Sequence, residues 1–518
     1  MMPPKESSLT DVEIEIADRI ADRVVDRLTD HLADHSGDAP IASSVEPPAG
    51  FAEISSNPAA ASLLQILSSG KAIAVGFIFV HLWLTLQGMS FRWGTFNYVD
   101  RYEGWARRGL EYGYWPVLDF DWVYPIGAIV PLTLPTLGNS TTDAYQVLWT
   151  VLVYGLSAVA LWRLTVSSPR GWVAAWWWLA FLAALGPIWV TRLEGVIAPL
   201  MLVAWVEIRH RPELAVVLAT IGAWIKIVPG VLVLAMATCV GSVRDGLRRI
   251  VLPGAVVSAV IVGLALLGGA GTRVFGVFGE QHNRSLQVES VAATAFSIAR
   301  LWNPDIRFEN NPAIATIEVV YPTVETVASV LDVALIVSVL ALLALTFFVV
   351  RRRPELTIDA LLVGSYAVML AMVVFNKVGS PQFAAWIGPP VAAGLALAGP
   401  QVRRLWLGPA VGLLGVALLT HAIFPLDYVS FLNGHVWMIT LAAARNLGYV
   451  ALLGLALWRL IQMWRVGLER GDDLLGLDLG IAEEHGGIFA EEQRVLHPGV
   501  SGGQGALEDD HLGGPPHL

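Results

Sequence analysis

Cysteine is nearly missing: Cys239, inside an apolar run, is the single one in 518 residues. That excludes an intramolecular disulfide framework and a thiolate metal cluster. Charge is scarce as well. Asp, Glu, Lys and Arg make up only 15% of the chain, where soluble domains carry roughly a quarter. There is no HExxH, no CxxC, no DxD-type pair at a strand end, and no Walker or Rossmann glycine loop. No metal, nucleotide-sugar or ATP site is expected, and no nucleic-acid partner. The first 50 residues hold 11 acidic and 4 basic side chains, which is no signal peptide.

Apolar residues are what the chain has in plenty. They form 55% of it, and mean hydropathy is +0.60. The 20 Trp suit membrane–water interfaces. The net charge of −10 belongs to the tails. Residues 469–518 carry 11 acidic and 2 basic side chains, and the part between the two tails is mildly basic. A mildly basic body fits a protein held among anionic lipids.

Three regions follow. In 1–60, Val12, Ile16, Ile20, Val24, Leu28 and Leu32 recur every four residues, an amphipathic helix that either covers a surface or pairs with a second copy. A linker rich in Pro, Ser and Ala completes this region. Residues 61–468 are the membrane body. Residues 469–518 are an acidic, Gly-rich tail expected to be disordered.

Twelve apolar stretches suggest an all-α polytopic bundle of about twelve transmembrane helices. They lie near 71–89, 122–140, 144–164, 172–191, 194–209, 213–239, 250–270, 327–350, 357–375, 381–399, 405–424 and 437–463. Arg244/Arg248/Arg249, Arg351–Arg353, Arg403/Arg404 and Arg459/Arg465 then share one side, which the positive-inside rule makes cytoplasmic together with both termini. Twelve full crossings leave Arg209–Arg211 on the wrong side. A second path has 122–140 re-entering and 213–239 forming a hairpin around Lys226–Pro229, and it moves them inside. Both paths leave the same outer loops: 90–121, 271–326, 376–380 and 425–436.

The outer side collects the polar residues. In 90–121, Tyr98, Tyr102, Trp105, Gly109 and Tyr112 form one helical stripe suited to lying in the headgroup layer. Asp100 and Glu103 have the spacing of a capping box, a role compatible with a second one for the Asp100 carboxylate. Asp119 and Asp121 are turn residues or ligand contacts, just before Tyr124-Pro125. Arg192 and Glu194 either pair with each other or meet a substrate. Lys226 lies deep in an apolar run before a helix-bending Pro229, and either snorkels or meets an anion. Loop 271–326 is too long for an idle connection and carries His282, Asn283 and Arg284. Lys377, Ser380 and Gln382 sit in a polar break of the kind tolerated where backbone lines a cavity.

The order of these features resembles the GT-C membrane glycosyltransferases, and most closely glycosyltransferase family 87. This family includes polyprenol-phosphate-mannose-dependent alpha-mannosyltransferases of actinobacteria. The matching segments are Asp100-Arg101-Tyr102, Asp119 followed by Trp122-Val123-Tyr124-Pro125, Lys226-x-x-Pro229, Asn283-Arg284-Ser285-Leu286 and Lys377-Val378-Gly379-Ser380-Pro381-Gln382. Two departures stand out. Ile126 replaces a second Pro after Tyr124-Pro125, and Glu194-Gly195 stands where the family has Gly-Gln. The likeness covers roughly residues 70–465.

The resemblance implies a GT-C-type bundle with outer-face juxtamembrane helices, in the plasma membrane, with its active site on the outer face. It implies inverting transfer of a sugar, mannose or arabinose, from a polyprenyl-phosphate donor to a cell-envelope glycan or glycolipid acceptor. Asp100 is then the general base. Lys226, Lys377, Arg284 and Arg192 are candidates to stabilise the leaving phosphate. Tyr102, Trp105, Asp119, Asp121, Tyr124, Glu194, His282, Asn283, Ser380 and Gln382 are candidate substrate contacts, with no cofactor and no metal. A transporter or flippase for a lipid-linked solute is the competing reading. It is weakened because no internal repeat is visible. A scaffold working through the acidic tails leaves the outer polar clusters unexplained.

Overall fold

The computed structural model describes residues 58–90, 95–137, 141–282, 284–311 and 316–465. The N-terminal amphipathic stretch, its linker up to residue 57 and the acidic tail lie outside the described residues, and the end of the expected linker opens a helix, Pro58–Ser68. The principal helices are α1 (Gly70–Ser90), α2 (Val99–Tyr112), α3 (Thr142–Val166), α4 (Gly171–Leu185), α5 (Glu194–Glu207), α6 (Pro212–Ile225), α7 (Gly230–Thr238), α8 (Val243–Leu267), α9 (Val324–Arg352), α10 (Pro354–Val374), α11 (Ala384–Leu397), α12 (Arg404–Leu426) and α13 (Val436–Arg465). Among the described residues, seven are long and apolar enough to cross a membrane: α1, α3, α8, α9, α10, α12 and α13.

Each of the twelve apolar stretches contains helix among its described residues, but five give no helix of spanning length. The stretch 122–140 forms only short helical pieces within Ile126–Thr136. The stretch 213–239 breaks into α6 and α7. Helices α4, α5 and α11 have 15, 14 and 14 residues. At about 1.5 Å per residue such helices reach only ~21–23 Å, short of a ~30 Å hydrocarbon core. The stops are local. Gly186 takes φ 76 directly before Pro187 and ends α4. Lys226 turns extended after α6, and Pro229 follows.

The short helices form the centre. Helix α5 packs against α3, α6 and α11, and all its residues except Leu200 and Val203 are buried. Apolar residues on every side of a helix mark it as interior. Burial separates the longer helices too. The apolar window of α10 is 89% buried, against 11% for α8. Val256, Val260 and Leu264 on α8 are exposed, as a lipid-facing wall would be.

The basic clusters gather at one end. Arg163 at the end of α3 pairs with Glu207 at the end of α5. Arg209 is within electrostatic reach of Asp359 at the start of α10, just after Arg351–Arg353. The Arg352 guanidinium lies 5.4 Å from the Trp464 ring centroid. Arg249 at the start of α8 is 3.7 Å from Glu213 at the start of α6. The chain therefore leaves this end along α6 and returns along α7 before α8 begins. This is the doubled path for 213–239, and it places Arg209 with the other arginines.

At the opposite end a second hydrophobic cluster, including Leu286, Ile306, Val319, Phe431 and Met438, forms a cap. It contains a two-stranded antiparallel ribbon, β1 (Arg307–Asn311) and β2 (Thr316–Val320), where an all-helical body was expected. The pattern Thr-Ile-Glu-Val-Val alternates as a half-buried strand does. A buried ion pair ties the cap to α13: Arg445 Nη1 reaches Glu289 Oε2 at 2.8 Å, and Nη2 donates to the Glu289 carbonyl at 2.9 Å.

Candidate functional site

Helix α2 lies across the end opposite the arginines. Its N-cap position is Tyr98, which makes no side-chain cap bond. The capping box expected of Asp100 and Glu103 is therefore not formed. Glu103 is buried and held by Arg107 Nε at 2.6 Å. Asp100 sits in the first turn, where the helix dipole favours an anion. It is half-buried, and its Oδ1 accepts from Gln146 Nε2 of α3 at 2.6 Å.

The aromatic stripe of α2 does not lie open in a headgroup layer. Tyr102 is fully buried. Trp105 meets Trp122 edge-on at 5.3 Å between ring centroids. Trp115 folds over Gly109, where an added Cβ would fall 2.2 Å from the ring. Of the five stripe residues Tyr112, 78% exposed, points out. The bundle end offers these rings an aromatic surface of its own, so they bury there. The helix stops at Gly113, whose φ of 65 lets its N–H close back on Gly109 and Arg108 carbonyls.

Asp119 is a turn residue: its Oδ2 accepts from the Trp115 N–H at 2.7 Å. Asp121 is exposed beside Gly276. Neither joins the cluster that follows.

Arg192 and Glu194 do not pair. Residues two apart at a helix start face different directions. The Arg192 guanidinium lies 3.7 Å from the Tyr98 ring centroid and donates to the Thr191 carbonyl at 3.0 Å. Glu194 turns inward, where its Oε1 accepts from Lys226 Nζ and, at 3.0 Å, from Trp386 Nε1. Lys226 thus meets an anion, and that anion is the Glu194 carboxylate. The rings of Tyr124, Phe383 and Trp386 surround its ammonium at 5.9, 5.4 and 5.3 Å, in cation–π range. The Leu193 N–H donates to the Tyr102 hydroxyl at 3.1 Å. Burial pushes the Tyr102 and Tyr124 phenols well above their ordinary range.

The two outer breaks meet nearby. Gln281 Nε2 donates to the Val123 carbonyl at 3.2 Å, and the Gln287 N–H donates to the Lys377 carbonyl at 3.0 Å. Arg284 lies between these anchors, half-buried. Its Nε is buried and has no hydrogen-bond partner among the described residues. Lys377 is buried and bound to Asp332 of α9 at 2.8 Å. Ser380 and Gln382 are half-buried on the way to Phe383. His282 ends the short helix Gly276–His282; its side chain, and Asn283 entirely, lie outside the described residues.

An apolar cavity of about 850 Å³ separates α8 from α9 and is floored by α6 and α7. Leu335, Val339, Val251 and Leu234 are among its walls, and Pro125 and Phe278 line it near Tyr124.

Sequence reasoning missed Gln146, Phe383 and Trp386. Gln146 had a signal, an amide at the start of an apolar run. The two aromatics had none among so many apolar residues. Among the described residues, no group of three or more His, Cys, Asp or Glu is placed to hold a metal ion. Comparison with protein-family models, with curated proteins and with solved structures finds no match for this chain.

Proposed function

We propose that the protein is a membrane glycosyltransferase. It moves a sugar, mannose in the first instance, from a polyprenyl-phosphate donor to a glycan or glycolipid acceptor of the cell envelope. One observation carries this reading. An apolar cavity between two spanning helices has Pro125 in its wall, next in the chain to Tyr124, whose ring joins a cluster of cations and aromatics, and a carboxylate, Asp100, stands on α2, whose Trp105 packs on Tyr124. A long hydrocarbon chain fits the cavity, a phosphate suits the cations, and a carboxylate suits an acceptor proton. The resemblance to glycosyltransferase family 87 supports the same assignment.

In the reaction, the acceptor oxygen attacks the anomeric carbon from the face opposite the lipid phosphate, and the anomeric configuration inverts. Asp100 takes the hydroxyl proton. The bond between the anomeric carbon and the phosphate oxygen breaks, and the lipid phosphate leaves with its electron pair. Arg192 and Arg284, for which no carboxylate partner is found among the described residues, are the cations we assign to that charge. Lys226 and Lys377 are already paired and contribute as part of the surrounding field. With the arginine-rich end cytoplasmic, both termini are cytoplasmic and the site opens on the outer face of a plasma membrane.

The break between α6 and α7, with a buried charged pair at its tip, also suits a transporter for a lipid-linked solute, since such breaks mark transporter binding sites. Purified protein with synthetic polyprenyl-phosphate mannose separates the two. Release of lipid phosphate or transfer of mannose supports the enzyme. Movement of the intact donor across a sealed bilayer without either product supports the transporter.

A further inference from the structure

Glu194 is 1% exposed, and its two oxygens are unequal. Oε1 accepts from both Lys226 and Trp386. Oε2 is buried and has no hydrogen-bond donor among the described residues. A buried carboxylate oxygen left without a donor costs free energy. The carboxylate is bound to the partly exposed Lys226, so a ligand that reaches Lys226 comes within one side chain of it. Lys226, its side chain 15% exposed, and half-buried Tyr124 form the approach, and Phe383 and Trp386 stack behind it with centroids 3.8 Å apart.

We propose that Glu194 Oε2 accepts a hydrogen bond from a hydroxyl of the donor's sugar ring, and that Glu194, Lys226, Tyr124 and Trp386 together form its recognition pocket. This rests on the lipid-phosphate-sugar reading above and deepens it. Charge decides the ligand class. Glu194 and Lys226 already neutralise each other, so an ammonium at Oε2 would leave an uncompensated positive charge in a low-dielectric site, which is costly. A neutral hydroxyl adds no charge. It donates to Oε2 and accepts from Lys226, which has three N–H donors. Tyr124, half-buried beside Lys226, adds a neutral hydroxyl partner rather than charge. The pocket therefore takes neutral hexoses and rejects 2-amino sugars.

Affinity in lipid nanodiscs tests this, with farnesyl phosphate, farnesyl-phosphate mannose, its monodeoxy analogues and its 2-amino-2-deoxy analogue as probes. The mannosyl lipid should bind the wild type at least roughly tenfold more tightly than bare farnesyl phosphate, and one monodeoxy analogue and the amino analogue should lose that advantage. Glu194→Gln places an N–H₂ or a shared amide oxygen where the carboxylate stood. It should abolish the mannose advantage, read as the ratio of mannosyl-lipid to bare-lipid affinity within the same variant. The deoxy series needs no variant, so the test stands even where Glu194→Gln fails to fold. Equal binding of mannosyl and bare lipid, or an advantage intact in every deoxy analogue or in Glu194→Gln, overturns the pocket while leaving the lipid-phosphate reading in place. Binding of neither lipid overturns both.

Discussion

Gln146 Nε2 donates to Asp100 Oδ1 across 2.6 Å, joining the start of α3 to the first turn of α2. The partner is neutral, so it orients the carboxylate without cancelling its charge. On the proposed mechanism Gln146 is a positioning residue. Gln146→Leu should lower the rate of sugar transfer by roughly 10²-fold, the scale of a misplaced catalytic group, with donor affinity close to wild type. Initial rates and donor binding measured on the same preparation check the split. A loss of affinity equal to the loss of rate would show that Gln146 serves substrate binding instead.

Lys226 and Glu194 form a buried ion pair at the tip of the α6–α7 hairpin. Lys226→Met leaves the Glu194 charge buried and alone, and should destabilise the protein by about 3–5 kcal/mol. Adding Glu194→Gln to that variant removes the orphaned charge and should restore most of the stability. Thermal unfolding of the single and double variants in detergent reads this directly. Equal melting of all three would mean that the pair is solvated.

Gly379 lets the backbone of the 376–382 break lie against the cap. A Cβ there would fall 2.0 Å from the Ser290 nitrogen, an obstacle made of backbone that cannot rotate away. Gly379→Ala should loosen the 286–299 segment and raise its hydrogen exchange, with α4 and α5 unchanged. Unaltered protection across 286–299 would contradict this contact.

The chain path makes its own prediction. His210 and Trp302 are both exposed and lie at opposite ends of the bundle. With Cys239→Ser as background, His210→Cys and Trp302→Cys in sealed vesicles should react with an impermeant maleimide from opposite sides. Labelling of both from the same side would contradict the doubled path of 213–239.

Hydropathy made the apolar stretches legible, and each of them contains helix. Their lengths were not legible, because an interior helix such as α5 is as apolar as a spanning one. Where an apolar stretch is cut short, a local stop does it, as Gly186-Pro187 does after α4 while the sequence stays apolar. The arginines carried more. Arg209–Arg211 conflict with twelve full crossings, and a hairpin over 213–239 is one of the two paths the sequence leaves open. Local spacing was the weaker guide around α2. Asp100 and Glu103 have capping-box spacing, yet the 3₁₀ turn Thr95–Tyr98 starts the helix two residues too early for it, with Tyr98 at the N-cap. The aromatic stripe showed that α2 has an apolar face, but not which surface receives it. Lys226 and Glu194 each stood out as charges in apolar runs, but 32 residues separate them, and no local pattern links such a pair. Trp386 left no trace at all, since one Trp among 20 gives no sign of which bonds a carboxylate.

The most direct measurement of the central claim is mannose transfer from synthetic polyprenyl-phosphate mannose by purified wild type and by Asp100→Asn. The substitution keeps the side chain's shape and its acceptor toward Gln146 and removes the base. The account predicts transfer by the wild type, and a loss of roughly 10²–10⁴-fold in the variant with unchanged melting and donor affinity. Turnover by Asp100→Asn at the wild-type rate would contradict it.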